Sequence, residues 1–143
     1  MKDNRARLKN ELLSRFKKQQ NVFLATTEGD QPRLRPVTLI RFQNRFFFAT
    51  GSNNAKVKQI KNNPKTEFCL MFGKKGNRHT IRTECLATFV EDKKTKARIL
   101  DNVPLFREFW KTPEDPSYVL IELTPLGFEY YQPGDMEATK VKP

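Results

Sequence analysis

The fold is decided by the stretch RLRPVTLIRFQNRFFFATGSNNAK, residues 33–56 of the chain. It contains two apolar runs, residues 34–42 and 46–50, which are separated by the polar break QNR. Two short apolar runs around such a break predict two strands joined by a tight turn. We therefore expect a β-hairpin at the centre of the fold.

The second run ends in the small polar loop GSNN, residues 51–54, and a short helix is predicted from about residue 55 to residue 62. A strand that passes through such a loop into a helix gathers unpaired N–H groups and the positive end of the helix dipole at one point. Arg35 and Lys56 lie within reach of that point. The stretch therefore predicts a binding site for a phosphate group.

Alternation along the first strand predicts two different faces. One face carries Arg33, Arg35, Val37, Leu39 and Arg41, and the other carries Leu34, Pro36, Thr38, Ile40 and Phe42. Arginines among apolar residues indicate a face that is partly ligand site and partly core. Because Pro36 has no N–H to donate, we expect a β-bulge or an unpaired stretch beside it, and a ligand could use that opening.

Length and charge narrow the class of protein. The chain has 143 residues, which is the length of one domain, and 27 Lys and Arg against 16 Asp and Glu give a net charge of +11. Its partners are thus expected to be anionic: nucleic acid, phospholipid or a phosphorylated cofactor. No signal-peptide pattern and no apolar run of ~20 residues occurs, so we expect a cytoplasmic protein without a membrane partner.

The remaining pattern is mostly that of strands. An amphipathic helix is predicted at about residues 5–20 and would cap a sheet. Strands are predicted at 22–27, 66–72, 79–90, 118–123 and 128–131, with a turn at 125–127 and a helical region at 93–110. The polar tail after Gly134 is expected to fray. Six or seven short antiparallel strands predict a mainly β fold, a small closed or half-closed barrel with flanking helices.

Other reactive or aromatic side chains have simpler explanations. His79 is expected to be a surface residue, since a lone histidine defines no metal site. Cys69 and Cys85 lie on neighbouring strands and are expected to be free thiols that act as small core residues. The aromatic residues Phe106, Phe109 and Trp110 at helical spacing predict a packed face, which in a dimer could instead line a ligand groove of the partner.

Three segments in this order resemble a known family: VFLATTEGDQPRLRPVT at 22–38, RFFFATGSNNAKVKQIKNNPKTEFC at 45–69 and IRTECLATFVED at 81–92. The chain is similar to the pyridoxamine 5'-phosphate oxidase-like family of FMN-binding split barrels, and most similar to its short, single-domain members. The resemblance covers about residues 22–131. It implies a six-stranded antiparallel split barrel that forms a homodimer, with one FMN in each of two grooves between the subunits.

The resemblance also implies which residues contact the cofactor. They are Arg35, Val37, Thr38, Thr50, Asn54 and Lys56. In the family, the matching arginine contacts the flavin phosphate or ribityl chain, and the matching lysine holds the phosphate. The backbone at the two positions after Pro36 lies along the isoalloxazine ring.

The sequence departs from the full oxidases at three positions. Asn54 and Ala55 stand where those enzymes have serine and arginine, and Ile40 replaces a lysine that is directed at the cofactor. The sequence also ends without the C-terminal segment that grips pyridoxal phosphate in the true oxidases. We therefore do not expect this protein to oxidise that vitamer.

The function predicted from the resemblance is that of an FMN-dependent oxidoreductase. It would pass electrons from a reduced nicotinamide, or another donor, to a small acceptor such as a quinone or nitro compound. No residue is identified as a catalytic acid or base, and no metal site is predicted. Relatives of this barrel hold a deazaflavin or haem in similar grooves, so the resemblance leaves these cofactors open.

Two non-catalytic functions are alternatives. One is a flavin-binding redox sensor or carrier. The other is a small basic β-barrel that binds nucleic acid, because aromatic residues are interleaved with basic residues over residues 41–48. Against nucleic acid, the phenylalanines are spaced as strand cores are, and no ribonucleoprotein motif occurs.

Overall fold

The computed structural model describes residues 2–143, with side chains from Asn4 onward. Its helices are α1 (Lys2–Ser14), α2 (Ala55–Asn62), α3 (Lys93–Asn102) and α4 (Pro104–Arg107). Its strands are β1 (Gln19–Glu28), β2 (Gln31–Phe42), β3 (Arg45–Gly51), β4 (Lys65–Phe72), β5 (His79–Phe89), β6 (Tyr118–Tyr131) and β7 (Thr139–Val141). In this part of the chain no helix has the length and apolar character needed to cross a membrane.

Six of the strands close into an antiparallel barrel. The strand order is β3-β2-β1-β4-β5-β6-β7, and β3 pairs in addition with β6, from Phe46 opposite Leu123 to Gly51 opposite Tyr118. The short strand β7 pairs with β6 at Phe128–Tyr130, beyond the stretch of β6 that pairs with β3. The predicted fold, a mainly β six-stranded barrel with flanking helices, is confirmed, with one extra strand.

The predicted hairpin at the centre of the fold is also confirmed. Phe42 at the end of β2 lies opposite Arg45 at the start of β3, so the turn consists of two residues. Those residues, Gln43 and Asn44, have φ angles of +53° and +59°. Two consecutive residues in the left-handed region form the type of turn whose twist matches that of the flanking strands.

The strands β2 and β3 separate soon after this turn. β3 pairs with β2 only at β2 residues 40–42 and then follows β6, whereas β2 pairs with β1 from Gln31 to Ile40 without a shift in register. Of the two alternatives expected beside Pro36, a bulge or an unpaired stretch, the structure has the unpaired stretch, on the side of β2 away from β1. Because that side has no neighbouring strand, the missing N–H of Pro36 removes no hydrogen bond from the sheet.

Apolar side chains form two clusters on either side of the β2–β3 wall. The cluster inside the barrel includes Leu39 and Phe48, and it is capped by Leu12 and Phe16 near the end of α1. The outer cluster lies under α3 and α4 and includes Ile40, Phe47, Phe106, Trp110 and Tyr118. Phe106 and Trp110 form the predicted packed face, whereas Phe109 is 65% exposed.

Three predicted element boundaries are wrong. The first helix ends at Ser14 and not near residue 20, because Gln19 already pairs with Ile40 in the sheet. The predicted turn at 125–127 is part of one continuous strand, in which Leu126 is left over at a shift in register against Cys85. The tail after Gly134 does not fray, since it forms β7 and buries Val141 in the barrel core.

Candidate functional site

The predicted phosphate site lies at the end of the barrel where β2 begins, β3 ends and α2 starts. Arg35 projects from β2 on the same side as the core residue Leu39. Its Nη1 donates to the Leu24 carbonyl oxygen at 3.3 Å, and its Nη2 donates to Gln59 Oε1 at 2.9 Å. Two contacts to neutral acceptors hold this guanidinium, so its positive charge is left uncompensated.

Lys56 brings a second positive charge to the same place. The ammonium group is half-buried, and its pKa is lowered by burial and, to a smaller extent, by the charge of Arg35. Burial also lowers the pKa of Arg35. Among the residues with described side chains, no carboxylate lies within 4.0 Å of either cation. Two partly desolvated cations without a counter-ion are costly unless an anion joins them.

The start of α2 adds the positive end of a helix dipole. Asn54 is the N-cap, with extended backbone angles, and its Oδ1 accepts a hydrogen bond from the Lys56 N–H at 3.3 Å. The first turn of α2 carries no acidic residue. The Asn54 side chain thus caps the helix, and the remaining first-turn N–H groups favour an anion near Lys56.

A polar network behind Arg35 was missed in the sequence analysis. Gln59 Oε1 accepts from Thr26 Oγ1 at 2.6 Å as well as from Arg35, and Gln59 Nε2 donates to Glu28 Oε2 at 3.4 Å. Gln59 follows Lys56 by three positions in α2, so helical spacing already placed both residues on one face. Its spacing from Lys56 was the sequence feature from which Gln59 could have been identified as part of the site.

Glu28 is the nearest acidic residue in this network, but it is turned toward another arginine. Its Oε1 accepts from Arg33 Nη2 at 2.9 Å, and this bond, together with the charge of Arg33, lowers the pKa of Glu28. The exposed Arg33–Glu28 pair therefore leaves Arg35 and Lys56 without a carboxylate of their own.

The other predicted contact residues lie beside the opening between β2 and β3. Val37 and Thr38 belong to the part of β2 that has no strand on its outer side, so some of their backbone groups face the opening. Thr50 is buried near the end of β3, opposite Val119 of β6. No hydrogen bond between described side chains joins Thr50 to Arg35 or Lys56.

The departures from the full oxidases have structural counterparts. Ile40 is 1% exposed and packs in the outer cluster with Phe47, so this position faces away from the opening. Ala55 is exposed at the first position of α2 and offers no polar side-chain atom. The groups at this end that could hold a phosphate are therefore Arg35, Lys56 and the helix start.

The residues present fit the phosphate and the ring of a flavin nucleotide. A phosphate dianion matches an arginine fork, a lysine point charge and free helix N–H groups. The unpaired edge of β2 offers backbone donors and acceptors to the polar edge of a flat ring. The structure thus supplies separate places for the two ends of such a molecule.

The histidine and the two cysteines lie outside this site. His79 stacks on Phe72 with ring centroids 4.7 Å apart, and its Nδ1 lies 3.1 Å from the Tyr130 hydroxyl, at the opposite end of the barrel. Cys85 points into the core, as predicted, and burial raises its pKa. The prediction of a core position is wrong for Cys69, which lies opposite Arg82 on the outer face. Within the described residues no group of His, Cys, Asp and Glu could hold a metal ion.

Solved structures with the same fold have been described from several bacteria. General Stress Protein 26 from Bacillus anthracis is 26% identical, covers 95% of this chain and 98% of its own, and superposes with a TM-score of 0.75. A nimC/nimA family protein from Clostridium acetobutylicum is 21% identical, with coverages of 98% and 93% and a TM-score of 0.75. A heme binding protein from Mycobacterium smegmatis is 12% identical, with coverages of 87% and 53% and a TM-score of 0.72.

The family itself is shown by sequence. No curated protein matches the chain significantly. The model of the family described as pyridoxamine 5'-phosphate oxidase, however, matches residues 8–132, which includes all six strands of the barrel. The chain therefore belongs to the pyridoxamine 5'-phosphate oxidase family.

Proposed function

We propose that this chain is an FMN-binding oxidoreductase that passes electrons from a reduced nicotinamide, or another donor, to a small acceptor. The observation that carries the proposal is the pair of half-buried cations, Arg35 and Lys56, at the start of α2 without a carboxylate beside them. A phosphate monoester would supply the missing negative charge. Membership of the family makes FMN the first candidate for the group that carries this phosphate.

Each residue of the site has a part in holding the cofactor. Lys56 would bind the phosphate as a point charge, and Arg35 would bind it through its remaining N–H donors. The backbone of Val37 and Thr38 would bind the polar edge of the ring, with Thr50 beside the ribityl chain. The bound flavin supplies the redox chemistry, and the residues of this chain fix its position and exclude water from it.

The homodimer is part of the proposal and is supported by an apolar face on the outside of the barrel. Phe23 of β1 is 46% exposed, and its neighbours across the sheet are Pro36 and Cys69. Leu34 and Met71, on the same outer face, are 69% and 52% exposed. Burial of this face against a second copy would remove these side chains from water and place the opening beside β2 at the subunit interface.

A visible absorption spectrum tests the cofactor assignment. The purified chain is mixed with FMN, freed of excess by gel filtration and measured again. We expect the bands of oxidised flavin at about one per chain. Complete release of FMN would overturn the proposal.

Light scattering tests the homodimer, and we expect the wild type to have the mass of a dimer. The control is Leu34→Glu, which places a charge on the apolar face.

Two further outcomes separate the alternatives. A flavin that stays bound but is not reduced by nicotinamide nucleotides would favour a non-catalytic redox carrier. For nucleic acid, the supporting feature was the interleaving of aromatic and basic residues at 41–48, but Phe46, Phe47 and Phe48 are buried and Phe42 packs partly buried against the outer cluster. They are therefore not available as a stacking surface for bases.

A further inference from the structure

Gln59 is a polar residue buried beside the cation pair. It lies in α2 and is 5% exposed. Its Oε1 accepts hydrogen bonds from Thr26 Oγ1 at 2.6 Å and from Arg35 Nη2 at 2.9 Å, while its Nε2 donates to Glu28 Oε2 at 3.4 Å. Because both ends of the amide are engaged, its orientation is fixed.

The Gln59 amide and the strand β1 hold the Arg35 side chain from two directions. Arg35 Nη1 donates to the Leu24 carbonyl and Nη2 donates to Gln59, so two points of the planar guanidinium are tied to different elements, β1 and α2. A guanidinium has five N–H donors in one plane, and two contacts leave three of them for a ligand. When the plane of the guanidinium is fixed, the directions of its three remaining N–H groups are fixed as well.

The neutrality of the amide matters as much as its position. A carboxylate at this place would neutralise Arg35 and compete with an incoming anion, as the exposed Glu28 does for Arg33. Gln59 accepts the hydrogen bond without adding negative charge. Thr26, which supports Gln59 from the other side, is also neutral and is 2% exposed.

We infer that Gln59 is a positioning residue, which orients the guanidinium of Arg35 toward the phosphate of the bound flavin nucleotide. This inference rests on the proposed function, since it assumes that the anion at Arg35 is the FMN phosphate. A fork that is oriented before binding loses less conformational entropy when the ligand arrives. Gln59 thus acts on the phosphate through Arg35 and contributes to the preference for FMN over riboflavin.

Riboflavin is the appropriate comparison because it has the same ring and ribityl chain but no phosphate. The dissociation constants of FMN and riboflavin are measured by quenching of flavin fluorescence for the wild type and Gln59→Met, which keeps the length of the side chain. We expect FMN to bind about tenfold more weakly to Gln59→Met, and riboflavin to change by less than about twofold. Gln19→Met, an exposed glutamine at the far end of β1, is the control and should change neither.

Two additional variants keep the experiment decisive. Thr26→Val removes only the hydrogen bond behind Gln59, and we expect a smaller loss, about threefold, that again affects FMN alone. In an Arg35→Ala background Gln59→Met should have no further effect on FMN, because the residue through which it acts is gone. If thermal denaturation shows that Gln59→Met is unfolded, the result for Thr26→Val alone decides whether Gln59 has the positioning role.

The possible results distinguish this inference from the proposed function. A wild type that binds FMN no better than riboflavin would overturn the phosphate assignment and with it the proposed function. A wild type that prefers FMN, while both Gln59→Met and Thr26→Val keep that preference, would overturn only the positioning role. Equal losses for FMN and riboflavin would also overturn it, since they indicate a general structural defect.

Discussion

The barrel carries arginines on its strands in two contrasting situations. On the outer surface, Arg45 donates from Nε and Nη2 to the two carboxylate oxygens of Glu122, at 2.9 and 2.6 Å, and Arg82 pairs with Glu129 across β5 and β6. At the open end, Arg35 has only neutral acceptors and a second cation for a neighbour. The hydrogen bonds that Arg45 donates to Glu122 raise the pKa of Arg45, whereas burial lowers that of Arg35.

The difference separates arginines whose charge is compensated within the chain from one whose charge is not, and we propose that the latter binds a ligand. An outer arginine with its own carboxylate has a compensated charge in the isolated chain and is expected to contribute little to binding. A half-buried cation pair lowers the stability of the isolated chain and becomes favourable only when an anion is present. The following predictions, in order of decreasing effect, test whether this distinction is real.

The largest effect is expected when both cations at the open end are removed. The variant Arg35→Ala/Lys56→Ala should bind FMN at least about a hundredfold more weakly, because two charge-assisted contacts to the phosphate are lost. Equilibrium dialysis against FMN measures this. Arg45→Ala is the matched control from the outer surface, and a comparable loss in that variant would contradict the distinction.

Removing Lys56 alone should have a smaller effect of the same kind. We expect Lys56→Ala to weaken FMN binding by about 1.5 to 3 kcal/mol and to leave riboflavin binding unchanged. Lys58→Ala removes an exposed lysine two positions further along the same helix and should alter FMN binding by less than about 0.5 kcal/mol. If Lys56→Ala bound FMN as the wild type does, Lys56 would have no part in the site.

Local sequence features were enough to predict the central hairpin and the elements that build the open end. The tight turn at Gln43 and Asn44 follows from the polar break between two apolar runs, and the bounds of α2 follow from the polar loop that ends at Asn54 and the break before Pro64. Arg35 and Lys56 could be identified because a strand, a loop and a helix start lie next to each other in the sequence.

Features that depend on contacts between distant segments could not be predicted in this way. The PLG pattern at 125–127 favours a turn, but pairing with β5 and β3 keeps β6 extended and leaves only Leu126 unpaired. The polar tail becomes β7 because β6 offers it a free edge. Gln59 and Thr26 are 33 positions apart, so their hydrogen bond depends on how α2 packs against β1.

Stability without ligand should respond in opposite directions in the two regions. Arg45→Met should lower the free energy of unfolding by about 0.5 to 1 kcal/mol, because Glu122 loses its bidentate partner at a partly exposed site. Lys56→Met should raise it by about 0.5 kcal/mol, because a partly desolvated cation beside Arg35 is removed. Urea denaturation of the ligand-free proteins measures both, and a destabilised Lys56→Met would argue against an uncompensated charge.

The smallest expected effect is the pH dependence of the stability that Lys56→Met gains over the wild type. The pKa of Lys56 is lowered in the folded chain from the ordinary value of 10.5, so between the lowered value and 10.5 the unfolded chain binds more protons than the folded one. The free energy of unfolding of the wild type therefore rises with pH across this window as Lys56 loses its charge. Below the window, the penalty for the charged ammonium is fully present.

Lys56→Met lacks this titration, so its advantage over the wild type should be full near neutral pH and should shrink as pH approaches 10.5. Urea denaturation at several pH values between neutral and alkaline provides the comparison. The deficit of Arg45→Met should stay constant over the same range, because an arginine keeps its proton there. A Lys56→Met advantage that is independent of pH would mean that the ammonium charge is not its cause, and the contrast between the two regions would then rest on ligand binding alone.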